Sequence, residues 1–66
     1  MVSERELLIC ELQRVNGEIE TERRRFNILR DDELLDETIY RLMSLKGRQG
    51  CLISKIKEID KRSAGD

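Results

Sequence analysis

Apolar residues recur along the first part of the chain at Leu8, Leu12, Val15 and Ile19, and the series resumes at Phe26 and Leu29 after a gap filled by Glu22. Steps of three, four and seven keep these side chains on one stripe of an α-helix at the heptad period. Ser3-Glu4-Arg5-Glu6 precedes the stripe as a capping box, a serine followed three residues later by glutamate, so the spacing predicts a helix over about 3–29. The pattern returns as Leu35, Thr38, Leu42, Leu45, Gln49, Leu52, Ile56 and Ile59, widened by Ile39 and Ile53, and predicts a second helix over about 33–61. Only a turn at about 30–32 separates the two, and a short polar tail, 62–66, follows. Two long helices with a short link make an antiparallel, coiled-coil-like hairpin, so the expected fold is all-α and residues 1–66 form one domain. Its core is expected to hold Leu12, Val15, Ile19, Phe26, Leu35, Ile39, Leu42, Leu45, Leu52 and Ile56, with Ser3, Asp31 and Asp32 as helix caps.

Folding the chain at residues 30–31 sets Phe26 level with Leu35, Ile19 with Leu42, Leu12 with Gln49 and Leu8 with Ile53. At the end far from the turn, Leu7-Leu8-Ile9-Cys10 is apolar around most of the helix, opposite Cys51-Leu52-Ile53. One partner helix covers one seam, and each large apolar side chain left wet forfeits about 1.5–3 kcal/mol. Self-association into a four-helix bundle, as a homodimer or higher oligomer, would recover much of that. Ser44, Gly47, Gly50, Cys51 and Ser54 add a strip of small residues. Interior glycines cost about 1 kcal/mol each against alanine, so Gly47 and Gly50 mark either a close backbone contact or a locally weak or kinked helix. The expected interface is therefore Leu7, Leu8, Ile9, Cys10, Gly47, Gly50, Cys51, Ile53 and Ser54.

Composition narrows the function classes. A chain of 66 residues buries only roughly 60% of its unfolded surface, which leaves little room for a deep active site. Charged residues make up 41%, aromatics 3%, and proline is absent, as suits long solvated helices. The 13 basic and 14 acidic residues are interleaved to a net charge of -1, a balance that attracts neither nucleic acid nor an anionic membrane. The longest apolar run has four residues, far below the ~20 of a membrane span, so a cytoplasmic location is expected. Cys10 and Cys51, with no histidine in the chain, make no disulfide framework and no zinc site. No cofactor or metal is expected, and both thiols are read as small packing residues.

Three polar features carry candidate chemistry. Asp31-Asp32-Glu33 follows Arg23-Arg24-Arg25 and Arg30, an arrangement in which cations sit at a helix C-terminus and anions at the next N-terminus, as the macrodipole favours. Acid–base catalysis by those carboxylates would need a cleft that a two-helix turn does not supply, and no catalytic residue is assigned. The arginine cluster suits a phosphate or an acidic partner, but no aromatics interleave to stack bases. Glu22 either meets Thr38, Arg41 or Arg25 or, as is expected first, reaches water at the seam edge; Gln49 either does the same or pairs with its own copy across an oligomer.

Phe26-Asn27, Asp31, Leu34-Leu35-Asp36 and Ile39-Tyr40-x-Leu42 resemble the YaaL-like family of small uncharacterised proteins of sporulating and related Gram-positive bacteria. The resemblance covers about residues 18–57, with Asp32 in place of the turn proline and Gln49 in place of an aromatic. It implies a bacterial cytoplasmic hairpin and carries no activity to assign. Asp32-Glu33-Leu34-Leu35-Asp36 is also similar, through Leu35-Asp36 alone, to the Ser-Gln-x-Leu-Asp motif of small two-helix phosphatases acting on a sporulation response regulator. That likeness implies Asp36 at a partner's aspartyl-phosphate, with Asp32 and Glu33 replacing the serine and glutamine. The expected function is a non-enzymatic interaction or regulatory module whose partner is itself and possibly another protein, with the phosphatase and an arginine-cluster nucleic-acid binder as alternatives.

Overall fold

The computed structural model describes residues 2–64 and consists of two helices, α1 (Glu4–Ile28) and α2 (Asp32–Ala64), packed against each other as an antiparallel hairpin. Ser3 is extended at the start of α1, and its hydroxyl accepts from the Glu6 backbone N–H at 3.2 Å, satisfying one of the donors a helix N-terminus leaves free. The helix stops where Leu29 turns extended, and Leu29–Asp31 make the connection. Asp31 caps α2 by accepting from the Leu34 N–H at 3.1 Å.

Asp32, expected among the caps, is instead the first residue inside α2, where its carboxylate meets the positive end of the macrodipole without receiving the capping bond. The expected polar tail is also shorter than anticipated. Arg62 and Ser63 continue α2 as far as Ala64, because neither proline nor an interior stop signal intervenes and Lys61 and Arg62 suit a helix C-terminus. Gly65 and Asp66 of that tail lie outside the described residues. Gly47 and Gly50 interrupt nothing: α2 runs through both without a left-handed residue.

The hairpin is a single layer, 53 × 21 × 13 Å, with a radius of gyration of 15.4 Å against the ~11 Å of a compact globule of this length. Its core is correspondingly small. Among the described residues, Val15, Ile19 and Leu52 are the buried apolar side chains, and Leu8, Leu12, Leu42 and Leu45 pack around them half-buried. Thr38 completes the seam, 2% exposed, and its hydroxyl donates to the Leu34 carbonyl at 2.9 Å so that no polar hydrogen is stranded.

Two expected core residues are not enclosed. Ile39 is 41% exposed because Thr38 takes the centre of the seam and Ile39 points about 100° away from it. Phe26 is 40% exposed because, two residues from the end of α1 in a layer one helix thick, it has α2 on one side and no element on the others. Gln49, expected level with Leu12, donates across the hairpin to Asn16 at 2.6 Å.

Candidate functional site: two unlike faces of the hairpin

A hairpin one layer thick has two broad faces, and heptad spacing decides which residues each displays. On α1, Ile9, Leu12, Asn16, Glu20 and Arg23 follow one flank of the seam; Leu7, Glu11, Arg14, Glu18, Thr21 and Arg25 follow the other. Cross-helix hydrogen bonds show which flanks of α2 share those faces. Asn16 meets Gln49, and Arg5 meets Asp60 at 2.7 Å, which puts Ile39, Leu42, Lys46, Ile53 and Ile56 beside the first flank. Arg48 donates to Glu11 at 2.6 Å, and Arg41 approaches Glu22 at 3.8 Å, which puts Ser44, Cys51 and Lys55 beside the second.

The first face carries apolar side chains between a polar centre and the charged Glu20, Arg23 and Lys46. Ile9, Leu12 and Leu42 are half-buried, and Ile53 is 36% exposed, all flanking the Asn16–Gln49 hydrogen bond. Leu12 and Leu42 also belong to the packing around the core, so this surface is the outer side of the hydrophobic seam itself. The Arg5–Asp60 ion pair closes its far end, and the guanidinium's hydrogen bond holds the Asp60 carboxyl below its usual range.

The second face is charged and shallow. Arg14, Gly17, Glu18 and Thr21 of α1 and Arg41, Ser44 and Leu45 of α2 line an open groove with Glu22 at its floor. Glu11 accepts from both Arg14 and Arg48, and these two hydrogen bonds lower its pKa against a smaller opposing cost of desolvation. Glu22 meets Arg25 and Arg41, two of the partners its position offered, rather than reaching past the seam edge to water. Its side chain is only 12% exposed, and one carboxylate oxygen is buried without a hydrogen-bond partner, while the other lies 3.7 Å from Arg25 and 3.8 Å from Arg41. A stripe position on the seam leaves this carboxylate inside rather than at the rim. Sequence spacing had shown Glu22 as a gap in an apolar series, and that gap was the signal.

The expected interface set does not form one surface, because consecutive helical residues point about 100° apart. Ile9 and Ile53 lie on the apolar face and Leu8 in the seam; Leu7 and Cys51 flank the charged face; Cys10, Gly47 and Ser54 point away from the partner helix. An added Cβ at Gly17, Gly47 or Gly50 would meet nothing within 4 Å, so the hairpin itself makes no close approach to them. Cys10 and Cys51 are exposed free thiols.

The arginine cluster disperses for the same reason. Arg24 bonds Glu20 at 2.9 Å, Arg25 lies beside Glu22, and Arg23 turns toward the apolar face with Asn16 and Gln49. Asp31, Asp32, Glu33 and Asp36 are exposed around the turn. Among the described residues, no group of three or more Cys, Asp or Glu side chains could hold a metal ion, and no helix is long and apolar enough to cross a membrane. No protein-family model, curated protein or solved structure matches this chain.

Proposed function

We propose that this protein is a helical protein–protein interaction or regulatory module, without enzymatic activity of its own, that acts as a self-associated assembly. The observation that carries the reading is the imbalance between core and surface. Among the described residues three apolar side chains are buried, whereas Ile39, Ile53, Phe26 and other large apolar residues remain between 36% and 76% exposed. Ordering the backbone costs about 1–2 kcal/mol per residue, and so small a core offsets little of it. Chains of this size are commonly completed by disulfides, metals or oligomerisation. Both cysteines here are free and the described residues hold no metal cluster, so oligomerisation is the route the chemistry leaves open.

Assembly coupled to folding makes thermal stability depend on concentration. The melting temperature, followed by circular dichroism with reductant present, should rise by several degrees for each tenfold increase in chain concentration. A melting temperature independent of concentration across three decades would contradict the proposal.

A further inference from the structure

We infer that a second copy of this chain docks on the face built from Ile9, Leu12, Leu42 and Ile53, with both turns at the same end, so that α1 of each copy lies against α2 of the other. The inference rests on the self-association proposed above and adds the surface and the orientation. A face 53 Å long and 21 Å wide is large enough for the ~800 Å² per partner of a standard interface. The Asn16–Gln49 hydrogen bond stands at its centre, since Asn16 is the middle residue of Glu4–Ile28 and Gln49 is next to the middle of Asp32–Ala64. Full overlap of two copies therefore brings this polar pair onto its own copy, a position where buried amides fix register.

The residues on either side then decide between the two ways a two-fold axis can run. With turns together, each α1 position meets the α2 position of its own level, now from the partner. Leu12 faces Ile53, Ile9 faces Ile56, Phe26 faces Ile39, Glu20 faces Lys46 and Arg5 faces Asp60: apolar against apolar and acid against base. Arg23 beside Leu42 and Lys57 beside Ile9 are mismatches, and long side chains of that kind lay their methylenes on apolar surface with their charge in water. With turns at opposite ends, α1 lies on α1 and α2 on α2. Leu12 then meets Glu20, Ile9 meets Arg23 and Ile53 meets Lys46, so three charges are pressed onto three apolar side chains. The pattern favours the first arrangement.

The decisive test is a distance between copies. Arg30→Cys in a Cys10→Ser, Cys51→Ser background carries a spin label in the exposed connection, and both native cysteines are exposed, so their removal leaves the packing intact. Pulsed dipolar spectroscopy should give an inter-label distance below about 30 Å, as expected for helices packed ~10 Å apart with flexible labels added. A distance near the 53 Å length of the hairpin would overturn the orientation while leaving self-association standing. A chain that sediments as a monomer at labelling concentration would overturn both. As a second readout, Glu20→Lys and Lys46→Glu should each raise the dimer dissociation constant about three- to tenfold, with the double exchange restoring it, since two copies of the contact are altered. Additive losses in the double variant would count against the same-end pairing.

Discussion

Glu22 is the residue that most clearly departs from the logic of the hairpin. Every neighbour in its stripe is apolar, yet its carboxylate is nearly covered and one oxygen has no donor. A buried charge imperfectly paired gives back little of its desolvation cost, and apolar replacements at such positions are often stabilising by about 1–4 kcal/mol. Glu22→Leu should therefore raise the urea midpoint at fixed chain concentration, by the equivalent of about 1–2 kcal/mol, near the lower end of that range because Arg25 and Arg41 stand close by. A lower midpoint would mean that the two arginines bind Glu22 more strongly than their separation of 3.7–3.8 Å indicates. Neither the burial of Glu22 nor the exposure of Ile39 was legible in spacing alone. Spacing set Thr38 in the stripe with Ile39 beside it, but how far each is covered depends on how each helix rotates about its own axis, and here Thr38 is 2% and Ile39 41% exposed.

At the scale of the element, what could be read in the sequence was what is local. Ser3 with Glu6 and Asp31 before Leu34 are contacts over three residues, and they fix where the helices begin. The stripe from Leu8 to Ile19 and the one from Leu35 to Ile59 fix their direction and seam. Which flank of α1 shares a face with which flank of α2 depends on helix packing, and the Asn16–Gln49, Arg5–Asp60, Glu11–Arg48 and Glu22–Arg41 contacts reveal it. The glycines belong here too. Gly47→Ala should stabilise α2 by about 0.5–1 kcal/mol, because the position is helical, open and remote from the partner helix. Loss of stability, measured by thermal unfolding, would show that another backbone packs against it in the assembly. The cross-helix carboxylates predict a pH response. Glu11 and Asp60 have folded pKa values below their unfolded ones, so their contribution is complete above the carboxylate range and is lost as pH falls through the lowered values. Stability should thus be flat from pH 8 to about 6 and decline below about pH 4.5, and Glu11→Gln with Asp60→Asn should make that decline shallower. An unchanged acid slope in urea unfolding would contradict these pairings.

For the whole molecule, the governing fact is geometry. A layer 13 Å thick has no interior beyond its one seam, so apolar residues beyond the seam's capacity must face outward. Both faces carry some of them, Ile39 and Ile53 on one and Leu7 and Leu34 on the other, and the second adds ion pairs and a shallow groove floored by Glu22. In the proposed assembly a second copy would cover the face of Ile9 and Ile53, and the face of Glu11 and Arg48 would stay open to a different partner. Leu42→Glu should lower the thermal midpoint and weaken assembly together, since it sets a new charge against the Val15, Ile19 and Leu52 core.

Ile53→Glu alters the assembly more selectively, because Ile53 is 36% exposed and lies outside the core and the apolar side chains packed on it. Sedimentation equilibrium of the full chain with reductant, compared with Ile53→Glu over a wide concentration range, is the most direct measurement. A wild-type species of twice the chain mass or more, shifted toward the monomer in the variant while its helical circular dichroism persists at high concentration, is the predicted result. A well-folded wild-type monomer at every concentration would contradict the account.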